Sequence, residues 1–366
     1  MGSADPMTRT SAVESAAPAR RRAALDGIRG LAVLGVFAFH CVLPATGGFL
    51  GVDVFFVLSG YLVTGILLRE ADASGSVRYG RFLVRRLRRL YPALLVASAL
   101  ALVLALTLAD DWWRQNTLAQ FPLAVLYLAD FGPVIGGLLD HTWSLAVEAQ
   151  FYLVWPFAVL LLARSRFRAR LLWGAGVVAA VLPIALGLLV SWRAPYFTPI
   201  GHLTPLLLGS AVAVSRPLLP ALARVIAPVA LVLLLLLLAY PAQLFELLWP
   251  ETAGMWAASG LTALLLLGLN GTTDRGVTAR VLSWRPLSQF GLRSYGFYLF
   301  QQPILFSLAP HLPAPWLWIV SFLAALGCCV LSWRFVETRW HRPGSAGFIA
   351  MRRRPGVPLP AVEVLS

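Results

Sequence analysis

An arginine and a histidine lie in the first apolar stretch of the sequence, LDGIRGLAVLGVFAFH. Arg29 and His40 are eleven residues apart, which is about three turns of an α-helix, so their side chains face the same side and lie ~16 Å apart along its axis. Histidine is the usual general base near neutral pH. Structural roles are the alternatives: Arg29 as an anchor that snorkels to the membrane interface, and His40 as a hydrogen-bonding group near a helix end.

Two carboxylates also lie inside apolar stretches. Asp53 is about one turn into GVDVFFVLSGYL, and Glu148 is about two turns into HTWSLAVEAQFYLVWP. Because a charge inside a bilayer is costly, such residues mark candidate functional sites. Each carboxylate also has a structural alternative. Glu148 would then be the bonding partner of another polar side chain, and Asp53 would be a negative charge at a helix N-terminus, where the helix dipole favours it. In the same stretch as Asp53, Ser59 and Gly60 predict close packing between helices.

Six arginines lie between Arg78 and Arg89, most of them in the segment RFLVRRLRRLYP. The forked guanidinium group matches the geometry of phosphate, so this run can bind a phosphorylated ligand. A cytoplasmic anchor beside the membrane explains the same residues, and position alone does not separate the two interpretations.

The depths of these residues in the membrane predict two layers. Counted from the ends of their stretches, His40 and Asp53 lie ~6 Å below the outer boundary and Glu148 lies ~9 Å below it. Three arginines belong to the opposite, cytoplasmic layer: Arg29, Arg86 and Arg89. This arrangement predicts a polyphosphate group bound on one side of the membrane and proton transfer near the other.

Long apolar stretches must position these residues, because they make up most of the chain. Of 366 residues, 59% are hydrophobic and 13% are charged, and the mean hydropathy is +0.76, whereas a soluble domain is about one quarter charged. We therefore predict an all-α, polytopic membrane bundle of about ten transmembrane helices. The predicted spans are 28–43, 49–69, 90–109, 142–163, 171–191, 200–215, 225–245, 252–269, 291–309 and 315–336. Residues 23–342 form the membrane domain, and the polar segments 1–22 and 343–366 are expected to be disordered tails.

The arginines also predict the orientation of the bundle. All 30 basic residues are arginine, and the net charge is +14. With ten spans and cytoplasmic N- and C-termini, all but Arg114 and Arg193 fall on the cytoplasmic side, as expected for a multi-pass protein of the plasma membrane. Since the positive charge lies in short loops and no soluble domain presents a basic face, a nucleic-acid partner is not expected.

Taken together, the four charged segments resemble the acyltransferase-3 family of membrane O-acyltransferases. The resemblance rests on LDGIRG with the Arg29–His40 spacing, on GVDVFFVLSGYL, on RLRRLYP and on HTWSLAVEAQFYLVWP. It covers the first four predicted spans closely and the last two more loosely. One such motif would be weak, but four in this order and at these spacings are highly specific.

The resemblance implies transfer of an acyl group, often acetyl, from cytosolic acyl-CoA to a hydroxyl of a cell-envelope glycan, a glycolipid or a secondary metabolite. It implies that His40 is the essential histidine, that Arg29, Arg86 and Arg89 bind acyl-CoA, and that Glu148 is the carboxylate of the tryptophan–serine–leucine segment. Glu148 or Asp53 is then expected to orient His40. No metal is expected, and acyl-CoA acts as a co-substrate and not as a bound cofactor. The chain departs from the family pattern in the late segment RSYGFYLFQQP, where Gln301 stands in place of a common histidine.

Two other functions are compatible with such a chain. In a transporter or flippase of a lipid-linked glycan, the intramembrane charges would line the substrate path and would not take part in chemistry. The paired broken helices typical of transporters are not evident in the sequence. A membrane glycosyltransferase would need carboxylates or large outer loops for its sugar donor, and the longest outer connection has only about thirty residues.

Overall fold

In the computed structural model, the described residues are 6–41, 47–132, 136–189, 198–239, 250–271 and 276–340, and they form helices and turns without any β-strand. The α-helices in chain order are α1 (Pro6–His40), α2 (Gly51–Ser74), α3 (Tyr79–Thr107), α4 (Asp111–Val125), α5 (Trp143–Ala163), α6 (Arg168–Leu189), α7 (Leu203–Val214), α8 (Pro220–Ala239), α9 (Pro250–Gly271), α10 (Val277–Leu282), α11 (Arg285–Leu292), α12 (Ser294–Leu308), α13 (Trp316–Ser332) and α14 (Thr338–Trp340). A turn of π-helix, Trp333–Glu337, joins the last two.

Seven segments of the described residues are long and apolar enough to cross a membrane. They are Arg22–His40, Gly47–Ser74, Tyr79–Thr107, Asp140–Ala163, Pro220–Ala239, Ala253–Gly271 and Trp316–Trp340. The other three predicted spans coincide with α6, α7 and α12. At 1.5 Å per residue, α7 and α12 rise only ~18 Å and ~22 Å, less than the ~30 Å of a bilayer core. The all-helical prediction is confirmed, and the count of ten stays a prediction.

The expected tails also stay predictions. The apolar part of α1 begins at Arg22, where the first predicted tail ends, although α1 itself begins at Pro6. Residues 343–366 lie outside the described part of the chain.

The outside of the bundle is apolar, as a lipid-facing surface must be. Large side chains such as Val154, Leu161 and Val178 are about two thirds exposed. In a protein surrounded by water such a surface would favour aggregation. Among hydrocarbon chains it is the favourable contact, so the exposed residues agree with a membrane location.

Glycines allow the helices that carry the candidate residues to approach closely. A Cβ atom on Gly60 of α2 would lie 2.0 Å from the carbonyl oxygen of Leu206 on α7, and one on Gly209 would lie 1.9 Å from that of Val57. The close packing predicted at Gly60 is therefore confirmed. A Cβ atom on Gly291 of α11 would lie 1.7 Å from the carbonyl oxygen of Asp26, so α1 and α11 are in backbone contact beside Arg29.

Candidate functional site

A cavity inside the bundle lies between α1, α2, α3, α5, α11 and α12. It contains about 850 Å³ of empty space, part of which is open to solvent. Four of the residues predicted from the sequence line it: Arg29, Arg86, Arg89 and Glu148. Its other polar lining residues are Ser59, Ser144, Tyr152, Ser294, Tyr295 and Tyr298.

Three cationic side chains therefore share one cavity with a single anionic one. Arg29 forms an ion pair with Asp26, with 2.8 Å between Nη1 and Oδ1, one helical turn earlier on α1. The guanidinium of Arg86 lies 5.0 Å from the ring centre of Tyr152 and 5.6 Å from that of Phe82, which are cation–π contacts. These contacts fix the direction of two positive charges, so the cavity favours an anionic ligand.

Glu148 belongs to the arginine cavity and is not hydrogen-bonded to His40. One of its carboxylate oxygens accepts hydrogen bonds from the hydroxyl groups of Ser59 and Tyr152. The sequence assigned Ser59 to helix packing, whereas the structure gives it a polar contact in the cavity wall. Tyr152 connects Glu148 to Arg86, so the carboxylate supports the arginine side of the cavity.

His40 lies at the end of α1 and contacts α12. Its Nδ1 atom is 3.0 Å from Oε1 of Gln301, and its ring lies edge-on to Phe306, with 5.7 Å between ring centres. His40 does not line the cavity described above. The predicted orienting partners, Glu148 and Asp53, are both bonded elsewhere.

Asp53 is completely buried and pairs with a histidine that sequence analysis did not consider. Its Oδ1 atom is 3.2 Å from Nδ1 of His202, which is also fully buried at the start of α7. The His202 ring lies between Phe56 and Trp143, with ring centres 4.8 Å and 4.9 Å away. The pair joins α2 to α7 beside the cavity, but Asp53 is not part of its lining.

Further polar residues connect the cavity to the region of His40. Tyr298 lines the cavity, and its hydroxyl donates to the backbone oxygen of His141 at 2.9 Å and lies 2.8 Å from the Ser144 hydroxyl. His141 and His40 both contact α12, at Leu299 and Gln301 respectively. His141 and Ser144 belong to the quoted HTWSL motif, yet only the contacts of α12 with α5 and with the turn before α5 identify their position.

The described residues contain no group of three or more histidine, cysteine, aspartate or glutamate side chains arranged to hold a metal ion. The polar groups around the cavity are instead suited to binding an anion and to moving protons. The fold and the cavity thus define a multi-pass membrane protein with an internal, arginine-lined cavity.

The sequence profile of the acyltransferase-3 family, described as an acyltransferase domain, matches residues 22–334, so the chain belongs to this family. It is 29% identical over 354 residues to the peptidoglycan O-acetyltransferase OatA of Listeria monocytogenes, an alignment that covers 87% of the chain and 56% of the relative. It is 27% identical over 364 residues to the O-acetyltransferase OatA of Staphylococcus aureus strain NCTC 8325, over 91% of the chain and 59% of the relative. The chain thus spans somewhat more than half the length of these curated relatives. No solved structure matches it.

Proposed function

We propose that the protein is an O-acyltransferase that moves an acetyl group from cytosolic acetyl-CoA to a hydroxyl of a cell-envelope glycan. The observation on which this rests is that arginines from α1 and α3 converge in one cavity of a chain that belongs to an acyltransferase family. The names of the relatives supply the acetyl group and suggest a glycan as the acceptor.

The proposed topology has ten spans with both termini in the cytoplasm. It adds α6, α7 and α12 to the seven long apolar segments. The distribution of arginine supports it, because this orientation leaves only Arg114 and Arg193 outside the cytoplasm. Arg29, Arg86 and Arg89 then lie near the cytoplasmic face, where acetyl-CoA is available.

The arginine cavity is the proposed site for the phosphate groups of acetyl-CoA. Guanidinium groups bind phosphate oxygens through paired, charge-assisted hydrogen bonds. Ion pairing with Asp26 and the rings of Phe82 and Tyr152 restrict the motion of Arg29 and Arg86, so less entropy is lost when the ligand binds. The uncharged pantetheine arm would extend from this cavity past Tyr298 towards His40.

His40 is the proposed general base. Its imidazole would remove the proton of the acceptor hydroxyl while the hydroxyl oxygen attacks the thioester carbon. The carbon–sulfur bond then breaks, and the leaving thiolate takes the proton from the imidazolium, so that free CoA and an ester are the products. A route in which His40 is acetylated first gives the same products.

The test is to purify the wild type, His40→Ala and His311→Ala in nanodiscs and to supply labelled acetyl-CoA with a membrane extract. His311 is an exposed histidine after α12 and serves as the matched control. We expect the wild type and His311→Ala to release CoA and to label a product, and His40→Ala to do neither.

Labelled product formed equally well by His40→Ala would contradict the role of His40. If the wild type released no CoA and bound none, the enzyme proposal itself would fail, and a lipid-linked glycan flippase would become the better explanation.

A further inference from the structure

Two histidines, the half-buried His40 and the buried His141, contact the same short segment of α12, Leu299–Pro303. Nδ1 of His40 faces the side-chain oxygen of Gln301 at 3.0 Å, and Nε2 of His141 lies 3.2 Å from the backbone oxygen of Leu299. Both acceptors are carbonyl oxygens, which cannot donate a hydrogen bond. Each contact therefore determines which ring nitrogen bears the proton.

We propose that Gln301 is a positioning residue, which holds His40 in the tautomer with a proton on Nδ1 and a lone pair on Nε2. This inference rests on the proposed role of His40 as the base, since only the nitrogen with the lone pair can remove a proton. A carboxylate would also stabilise the protonated ring, whereas a neutral amide orients the ring and leaves it uncharged.

The surroundings of Gln301 support a role beyond packing. The side chain is completely buried, and its amide nitrogen makes no hydrogen bond with any described residue. The contact with His40 is therefore the hydrogen bond that orients the amide. Burying an amide with half of its hydrogen-bonding capacity unused costs free energy, so an apolar residue would serve better if position 301 only had to fill space.

Pro303 orients the second histidine by a different route. A proline has no backbone N–H, so within α12 the carbonyl oxygen four residues earlier, that of Leu299, lacks its helical hydrogen bond. His141 donates its Nε2 proton to this oxygen. The Nδ1 atom of His141 is then the lone-pair nitrogen, and it is buried with no hydrogen-bond partner among the described residues.

The direct test is the tautomer of each ring, measured by ¹⁵N NMR on histidine-labelled protein in lipid. We expect His40 to show the Nδ1–H tautomer in the wild type and a mixture or the opposite tautomer in Gln301→Leu. Gln301→Glu keeps an oxygen acceptor, so its ring should keep a proton on Nδ1, with Nε2 protonated as well where the carboxylate stabilises the charged ring. The His40 signals are assigned by their loss in His40→Gln.

Gln302→Leu is the matched control, because Gln302 is the same residue type at the next position of α12 and is also buried. It should leave the His40 tautomer unchanged. A wild-type ring protonated on Nε2, or the same tautomer change in Gln302→Leu as in Gln301→Leu, would overturn the proposal.

A second arm uses Pro303→Ala, which restores a backbone N–H that competes for the Leu299 oxygen. His141 should then lose its single tautomer while His40 keeps its own. Retention of the His141 tautomer would show that the freed carbonyl does not control it.

Turnover separates this inference from the proposed function. For the acetyl transfer, Gln301→Leu should lower kcat about 10- to 100-fold and change KM for acetyl-CoA by less than about 3-fold, because the base is misplaced while the arginine cavity is intact. Gln301→Glu should be faster than Gln301→Leu. If no variant transferred acetyl groups, the proposed function would fail, whereas the tautomers would still decide the role of Gln301.

Discussion

The arginine cavity makes a quantitative prediction for Arg89→Ala. Arg89 lines the cavity together with Arg29 and Arg86, and a hydrogen bond between charged groups contributes about 1.5–3 kcal/mol. Since about 1.4 kcal/mol corresponds to a tenfold change in affinity, losing one such contact should raise the Kd for CoA by about 10- to 150-fold. Arg89→Lys keeps the charge but loses the fork, so its affinity should fall between those of Arg89→Ala and the wild type.

Arg88→Ala provides the control, because it removes the same charge from the neighbouring position of α3. Arg88 and Arg89 are both exposed residues, but only Arg89 lines the cavity. Its charge acts on the ligand only through screened, long-range attraction, so the Kd for CoA should change by less than about 3-fold. CoA binding to protein in nanodiscs is measured by isothermal titration calorimetry at two salt concentrations.

Equal losses of affinity for Arg88→Ala and Arg89→Ala would refute this reasoning. They would show that a diffuse basic surface, and not the cavity, attracts CoA. An unchanged Kd in Arg89→Ala would place the CoA site elsewhere.

Other substitutions test the remaining contacts. Glu148→Gln should weaken CoA binding about 3- to 10-fold, measured by the same titration, because the support of the arginine face is reduced; a normal Kd would contradict this. Asp53→Asn should lower the unfolding temperature, since it weakens a buried pair with His202, at a cost of about 1–3 kcal/mol; an unchanged temperature would show that the pair contributes little. Gly60→Ala should also lower the unfolding temperature. Its control is Gly260→Ala, whose new Cβ has no neighbouring atom within 4 Å and which should leave the unfolding temperature unchanged or raise it. Equal effects of the two substitutions would contradict close packing of α2 and α7.

The fold class could be predicted because hydropathy and arginine placement are properties of single segments. The seven long spans all coincide with predicted apolar runs. The number of spans could not be predicted as well at α7 and α12. Their apolar runs are longer than the helices, which have only 12 and 15 residues, fewer than a span needs.

The roles of the predicted site residues stay predictions, but the structure shows contacts for them that the sequence did not predict. Depth arithmetic gives one coordinate, the distance along the membrane normal, and it assigned His40, Asp53 and Glu148 to one layer. It gives no lateral position. The partner of His40 is Gln301, 261 positions later in the chain, and such a contact depends on how α1 packs against α12. No local pattern in the sequence encodes that packing.

The separation of the arginines from His40 suits the proposed reaction. Phosphate groups are strongly hydrated, so moving them from the arginine cavity into the apolar part of the bundle would be costly. In the proposed arrangement they stay with Arg29, Arg86 and Arg89, and only the uncharged arm and the acetyl group extend towards His40. Tyr298 belongs to the cavity lining and also contacts His141 through its hydroxyl, so its side chain lies on the route between the two regions. In this arrangement the charged part of the donor never has to cross the membrane.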